Sequence, residues 1–170
     1  LLFSPLVSCE TSIKNYILDE LVSNSDPTFE DIYIKKLDDY IYFNTNQRTN
    51  MLKKRLYLQK NIHSSIHMNY DKTKMVTHKI NSGNQIPLWI VFEILSFGKL
   101  GDFVKQMNRN YRINVLNILG IRDPMDTDGS HLTNHIFILN ELRNAIAHNH
   151  IIFDTRFKNR HINQTLLNDM

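Results

Sequence analysis

Apolar residues near the start of the chain, Ile13, Ile17 and Leu21, recur every four positions, while Glu10 and Lys14 stand one turn apart. That spacing predicts an amphipathic helix from Leu6 to Val22. The stretch "SNSDP" stops it, and Asp26 and Pro27 offer an N-cap and a first helical position for a second helix to about Phe43, with Ile34, Leu37 and Ile41 as its core stripe. A polar "NTNQRTN" separates this from a third helix near Thr49 to Ser65. From His67 to Gln85 the composition turns polar, with "NSGNQ" as a clear break, so a loop or a short irregular helix is expected there.

Pro87 can open the next helix. Leu88, Trp89, Ile90, Val91, Phe92, Ile94 and Leu95 surround its whole circumference, which places a helix from Pro87 to Phe97 at the centre of the fold, with Gly98 and Gly101 punctuating its far end. A further helical stretch runs from about Asp102 to Leu119 with a break near Asn110, and "GIRDPMDTDGS" is a turn-rich loop. The last long helix, from about His131 to His148, packs through Ile136, Leu139, Leu142 and Ile146, and is expected to lie against the Pro87 to Phe97 helix. No internal repeat or low-complexity segment interrupts this series. The fold class it predicts is all-α, a helical bundle.

Composition agrees. At 170 residues and 42% hydrophobic, with five Gly and four Pro, the chain is long enough to bury one core and too short for two ordinary domains, so residues 1–170 are taken as a single domain. The lone Cys9 cannot form an internal disulfide, which makes the cytoplasm the default location. The longest apolar run, Ile86 to Phe97, contains Glu93 and falls short of the roughly 20 residues that span a bilayer, so no membrane partner is expected. "LLFSPLVSC" lacks the basic residues that open a secretory signal, and a start at Leu rather than Met implies that some N-terminal sequence is missing. Twenty Lys and Arg against seventeen Asp and Glu give a net charge of +3, which permits a polyanionic partner without demanding one.

The chemistry concentrates in "LRNAIAHNH", Leu142 to His150. At about 100° per residue, Asn144 and His148 share a helix face, whereas Arg143 and His148 diverge by about 140°. Either the helix loosens near Asn149 or a working site combines two copies of the helix, as a symmetric dimer supplies. The residue types suit RNA cleavage by the ribose 2′-hydroxyl: His can transfer protons near neutrality, Arg can fork onto phosphate oxygens, and Asn can hold the imidazole or the phosphate. No metal or other cofactor is required by this scheme. A purely structural account also exists, since Arg and His near a helix C-terminus interact favourably with its dipole and Asn is common where helices end.

"PLWIVFEILSFGKLGDFVKQM" (Pro87 to Met107), followed by "LNELRNAIAHNHIIFDTRF" (Leu139 to Phe157), resembles the Abi family of bacterial abortive-infection proteins, within the HEPN superfamily, and "CETSIKNYI" resembles that family's early helix. The resemblance implies an all-α HEPN-like bundle, homodimerisation, and in active members a metal-independent endoribonuclease built on the positions matched by Arg143, Asn144 and His148. It further implies an abortive-infection or toxin effector acting on RNA in phage defence, with an antitoxin or a regulatory RNA or protein as a further partner. The chain departs from the family where "AHNHIIFDTRF" replaces the common "AHHxRLWNR", with Asn149 at the position of a second His. The competing expectation is a HEPN domain that no longer cuts and instead binds RNA or protein as a regulatory module.

Other residues carry weaker signals. His150, and Arg156, Lys158 and Arg160 in "RFKNRH", follow the motif directly and are candidates to contact RNA. "KKRLYLQK" (Lys53 to Lys60) has the interleaved charge and Tyr57 of a phosphate-gripping surface, but such runs are usually a helix's wet side. The pairs His63/His67 and His131/His135 have zinc-compatible spacing without a third ligand, and are read as polar faces. Glu93, in an apolar helix, is expected to meet a polar or basic group such as Arg143 or Asn144 and to be structural.

Overall fold

The computed structural model describes residues 3–22 and 27–148, and within them the chain forms eight α-helices and no strand. These are α1 (Phe3–Val22), α2 (Phe29–Lys35), α3 (Thr45–Asn69), α4 (Lys74–Asn81), α5 (Leu88–Ile94), α6 (Phe97–Gln106), α7 (Arg109–Ile118) and α8 (Ser130–Ala147). The expected all-α bundle is what forms. Helix α8 lies chiefly on α6 and is flanked by α7 and α1, while α5 is enclosed by α1, α2 and α3.

Helix α1 buries Ile13, Ile17 and Leu21, the stripe its period predicts, and Lys14 meets Glu10 at 3.2 Å. Helix α2 differs from expectation. Its N-cap is Thr28, whose hydroxyl accepts from the Asp31 N–H while the Asp31 carboxylate accepts from the Thr28 N–H, a complete capping box. The helix stops at Lys35 because the following backbone finds other partners: Asp38 donates its N–H to the Gln106 carbonyl at 2.8 Å, and Asn108 donates to the Lys36 carbonyl at 2.9 Å. Leu37 is buried at this junction, but Ile34 and Ile41 are 74% and 71% exposed and belong to no core stripe. In α3 the polar "TN" after Asn44 is the first helical turn, since the Asn44 side chain caps it by accepting from the Gln47 N–H at 3.0 Å.

The run expected as one central helix is two. Pro87 caps α5, which ends at Ile94; Leu95 turns extended, and Ser96 caps α6. Lys14 donates to the Leu95 carbonyl at 3.0 Å, satisfying an orphan group at the α5 C-terminus. Leu88, Ile90, Val91 and Phe92 are buried, but Trp89 is 39% exposed, so α5 is not buried all round. Gly98 and Gly101 do not punctuate the end of a helix. They lie inside α6, where a Cβ at Gly101 would stand 2.9 Å from the Phe137 ring and one at Gly98 would stand 3.4 Å from the Asn140 amide. Their bare backbone lets α8 approach closely, and so the neighbour of α8 is chiefly α6 rather than α5.

Two isoleucines two residues apart on α2 test this register. Ile32, 2% exposed, should lose about 2–5 kcal/mol of stability on truncation to Ala. Ile34→Ala should change it by less than about 0.5 kcal/mol. Urea denaturation midpoints of the two variants measure the contrast, and equal losses would restore Ile34 to the core.

Candidate functional site

Arg143, Asn144 and His148 stand at the C-terminal end of α8. Ala145 is buried against the bundle and sets the rotation of the last turns, which leaves Asn144, Ala147 and His148 exposed and Arg143 half-buried. The helix ends at Ala147. His148 is its C-cap, with φ −98° and ψ 12°, and its backbone N–H donates to the Asn144 carbonyl at 3.0 Å. Leaving the helix therefore does not carry His148 away from Asn144: the two remain one turn apart.

Arg143 turns toward α1. Its Nη1 donates to Asn144 Oδ1 at 3.4 Å, and its Nε lies 3.9 Å from Glu10 Oε2. That Nε is closed off from solvent and has no hydrogen-bond partner, 3.9 Å being an ion-pair distance rather than a hydrogen bond. The other Glu10 oxygen is 3.2 Å from Lys14. One carboxylate is thus shared by two cations, and the closer of them is Lys14. Glu10 is the site residue that the sequence reading missed. Its i,i+4 partner is visible in the sequence, whereas its approach to Arg143 depends on how α1 and α8 pack.

The remaining candidates separate. His150, Arg156, Lys158 and Arg160 lie outside the described residues. Glu93 is exposed on α5, whose buried residues are Leu88, Ile90, Val91 and Phe92, and it is Glu10 rather than Glu93 that Arg143 meets. His63 stands 3.9 Å from Glu30 and edge-on to the Phe29 ring. His131 faces Asp123 and Asp126 at 3.4 and 3.7 Å, and the His135 ring nitrogen contacts the His131 carbonyl at 2.6 Å. Among the described residues no group of three or more His, Cys, Asp or Glu is placed to hold a metal ion. Within "KKRLYLQK", Tyr57 and the lysines are exposed, but Arg55 turns inward, stacks on Tyr33 and donates to the Asp38 and Tyr33 carbonyls, so it is a structural residue.

The sequence that builds this bundle and helix end matches a known family. The family model described as Abi-like protein covers residues 1–154, a span that includes Glu10 and the whole Arg143 to His148 segment. The chain belongs to the Abi-like protein family. That membership points to abortive infection, a form of phage defence. No curated protein and no solved structure matches the chain. Among the described residues no helix is long and apolar enough to cross a membrane.

The Glu10–Arg143 pair is partly solvent-exposed, with the Arg143 side chain 40% accessible, so it contributes little to folding. Glu10→Gln should lower the unfolding free energy by less than about 1 kcal/mol. A urea titration showing a loss of several kcal/mol would make the pair a structural element of the bundle rather than a local orienting contact.

Proposed function

We propose that this Abi-like chain is a metal-independent endoribonuclease of the HEPN type, acting as a homodimeric abortive-infection effector with Arg143, Asn144 and His148 at its site. One observation carries the reading: Asn144 joins the other two residues, accepting from Arg143 through its side chain and from the His148 N–H through its carbonyl, on an exposed edge of the fold. A long, scissile polymer needs an open edge of this kind rather than a closed cavity.

In the proposed reaction the ribose 2′-oxygen attacks phosphorus as its proton leaves to a base. The bond to the 5′-oxygen breaks as that oxygen is protonated, leaving a 2′,3′-cyclic phosphate. His148 serves proton transfer and Arg143 stabilises the phosphorane, with Asn144 fixing the Arg143 fork. Since Arg143 leans toward α1 and His148 continues the line of Asn144, two chains related by a two-fold axis supply the full set of groups. Glu10 orients Arg143 and, being shared with Lys14, leaves it enough positive charge to attract phosphate. His150, Arg156, Lys158 and Arg160 continue the chain beyond the site and are proposed to follow the RNA strand. The same Glu10 pairing also favours a second reading, an RNA- or protein-binding module that no longer cuts, because a carboxylate already occupies the Arg143 fork in part.

Incubation with total RNA in EDTA separates the two. Arg143→Ala and His148→Ala should each slow cleavage on the order of 10² to 10³-fold, the usual loss for one preorganised transition-state donor, with Asn144→Ala costing less. A substrate with hydrogen in place of the 2′-hydroxyl at the cut position should resist. Cleavage of that substrate at the RNA rate, or abolition by EDTA, would overturn the mechanism; an intact substrate with undiminished RNA binding would select the binding module.

Removing the charges of Arg156, Lys158 and Arg160 together should weaken RNA binding across sequences and flatten its dependence on log salt by up to about 2 units, at roughly 0.7 per phosphate contact on a single strand. Filter binding at several salt concentrations reads this slope, and an unchanged slope would remove the segment from the RNA path.

A further inference from the structure

The carboxylate that meets Arg143 is held from two sides. Glu10 and Lys14 stand one turn apart on α1, with Lys14 Nζ 3.2 Å from Glu10 Oε1. Their side chains are largely enclosed, 15% and 17% accessible, so neither swings freely in solvent. Lys14 is itself tethered, since its ammonium also donates to the Leu95 carbonyl at 3.0 Å, where α5 ends. Among the described residues, Lys14 and Arg143 are the cations that reach the Glu10 carboxylate.

On the Arg143 side the contact is unfinished. Glu10 Oε2 stops 3.9 Å from Arg143 Nε, about 1 Å beyond a hydrogen bond. That Nε is closed to solvent and has no hydrogen-bond partner. An enclosed N–H left open costs free energy, so a carboxylate standing beside it closes the gap unless something restrains it. Lys14 supplies the restraint: it holds the other carboxylate oxygen at the shorter distance and is anchored on the backbone at the break between α5 and α6.

We propose that Lys14 is a positioning residue that keeps Glu10 from closing on Arg143, and so keeps the guanidinium open to a phosphate. Without the ammonium, Glu10 Oε2 advances onto Nε, and the other oxygen becomes free to take a neighbouring guanidinium N–H, a bidentate geometry that carboxylates share with phosphates. The guanidinium is then neutralised, with one of its edges occupied by the chain's own acid. The tether gives this balance a source outside α8, because the carbonyl that places the ammonium belongs to the α5 end. The role assigned to Lys14 rests on the reading of Arg143 as a phosphate-binding residue, but the contest of two cations for one carboxylate can be measured without any RNA cleavage. A lysine that served only to satisfy the Leu95 carbonyl would, when replaced, cost stability with no effect on Arg143 that removing the Glu10 charge reverses.

The test follows Arg143 directly. Phenylglyoxal reacts with the uncharged form of a guanidine, so a carboxylate closed on Arg143 slows the reaction by stabilising the charged form and covering the side chain. Modification of Arg143 is followed over time by mass spectrometry in the folded full chain, with Arg109, exposed on α7, as the internal standard. Lys14→Gln should slow the Arg143 reaction about three- to fivefold, the upper worth of a partly exposed ion pair, and leave Arg109 unchanged. Adding Glu10→Gln in that background should restore the rate at least to that of the wild type, and Lys14→Arg, which keeps the cation, should stay within about twofold of it. Lys14→Met carries the same expectation as Lys14→Gln and replaces it should that variant fail to fold. RNA cleavage in EDTA is the second readout, and should fall by a similar factor in Lys14→Gln and recover in the double variant to the level of Glu10→Gln alone. Unchanged or faster Arg143 modification in Lys14→Gln, or a slow reaction that Glu10→Gln does not reverse, would overturn the proposal. A wild-type chain that cuts no RNA would instead overturn the nuclease reading, and the modification rates would still decide the role of Lys14.

Discussion

The close contact of α6 with α8 is the constraint on which the other features of the bundle rest. Gly101 gives the Phe137 ring room that a Cβ, 2.9 Å away, would take, while at Gly98 a Cβ would only reach contact with the Asn140 amide at 3.4 Å. Two glycines in a helix of ten residues cost intrinsic helix propensity, about 1 kcal/mol each relative to Ala, so the packing must return more than that. It does so by bringing the α6 residues Phe97, Leu100 and Val104 into one core with Leu132 and Ile136 of α8. Fixing α8 in this way fixes everything it carries, including Asn144 and His148 at its free end.

Electrostatics at the two ends of α8 are handled differently. At the C-terminal end Arg143 meets a carboxylate that already serves Lys14, and Lys14 in turn holds the Leu95 carbonyl at the break between α5 and α6. The arrangement orients a guanidinium whose Nε is enclosed but whose side chain stays 40% accessible, which limits its desolvation cost. Near the N-terminal end Arg112 is buried outright and partly unsatisfied. Nearby, Asp38 accepts from the Tyr40 N–H and the Tyr42 hydroxyl while Tyr40 donates to Gln106, so the adjoining polar groups are satisfied among themselves. Tyr40 adopts φ +55° to complete that network, a conformation uncommon for a bulky residue, and the buried hydrogen bond to Gln106 holds it there.

What the sequence disclosed follows from the range of each interaction. Local periodicity placed α1 and its stripe, and α8 to within a residue at each end, because both are long and one-sided. It failed for α2, where Ile34, Leu37 and Ile41 have helical spacing but the backbone after Lys35 bonds to the α6–α7 junction instead. The local sign that could have corrected this was "TFED", whose Thr28 and Asp31 form the capping box. In Pro87 to Phe97 an unbroken apolar run has no phase, so periodicity could not show the stop at Ile94; Ser96 was the available sign of a new helix start. Gly98 and Gly101 were visible as residues but not as packing sites, since their meaning depends on Phe137 and Asn140 some forty residues away. Arg143, Asn144 and His148 were legible through spacing and resemblance, while Glu10 as the Arg143 partner was not.

The placement of chemistry along α8 also has a mechanical consequence. Phe137 seats against Gly101 in the middle of α8, so a change in the docking of α8 on α6 moves the helix as a body rather than reshaping its end directly. A packed helix of eighteen residues transmits such a load as a rigid element, since changing its internal hydrogen bonding costs more than shifting its side-chain contacts. A shift of α8 therefore reaches the Arg143 to His148 end through the helix's position relative to α1, where Glu10 meets Arg143. Coupling between two places requires a ligand to favour one of two arrangements over the other. In this bundle the 3.9 Å pair of Glu10 and Arg143, an exposed contact where α8 passes α1, is one that can break and reform at little cost.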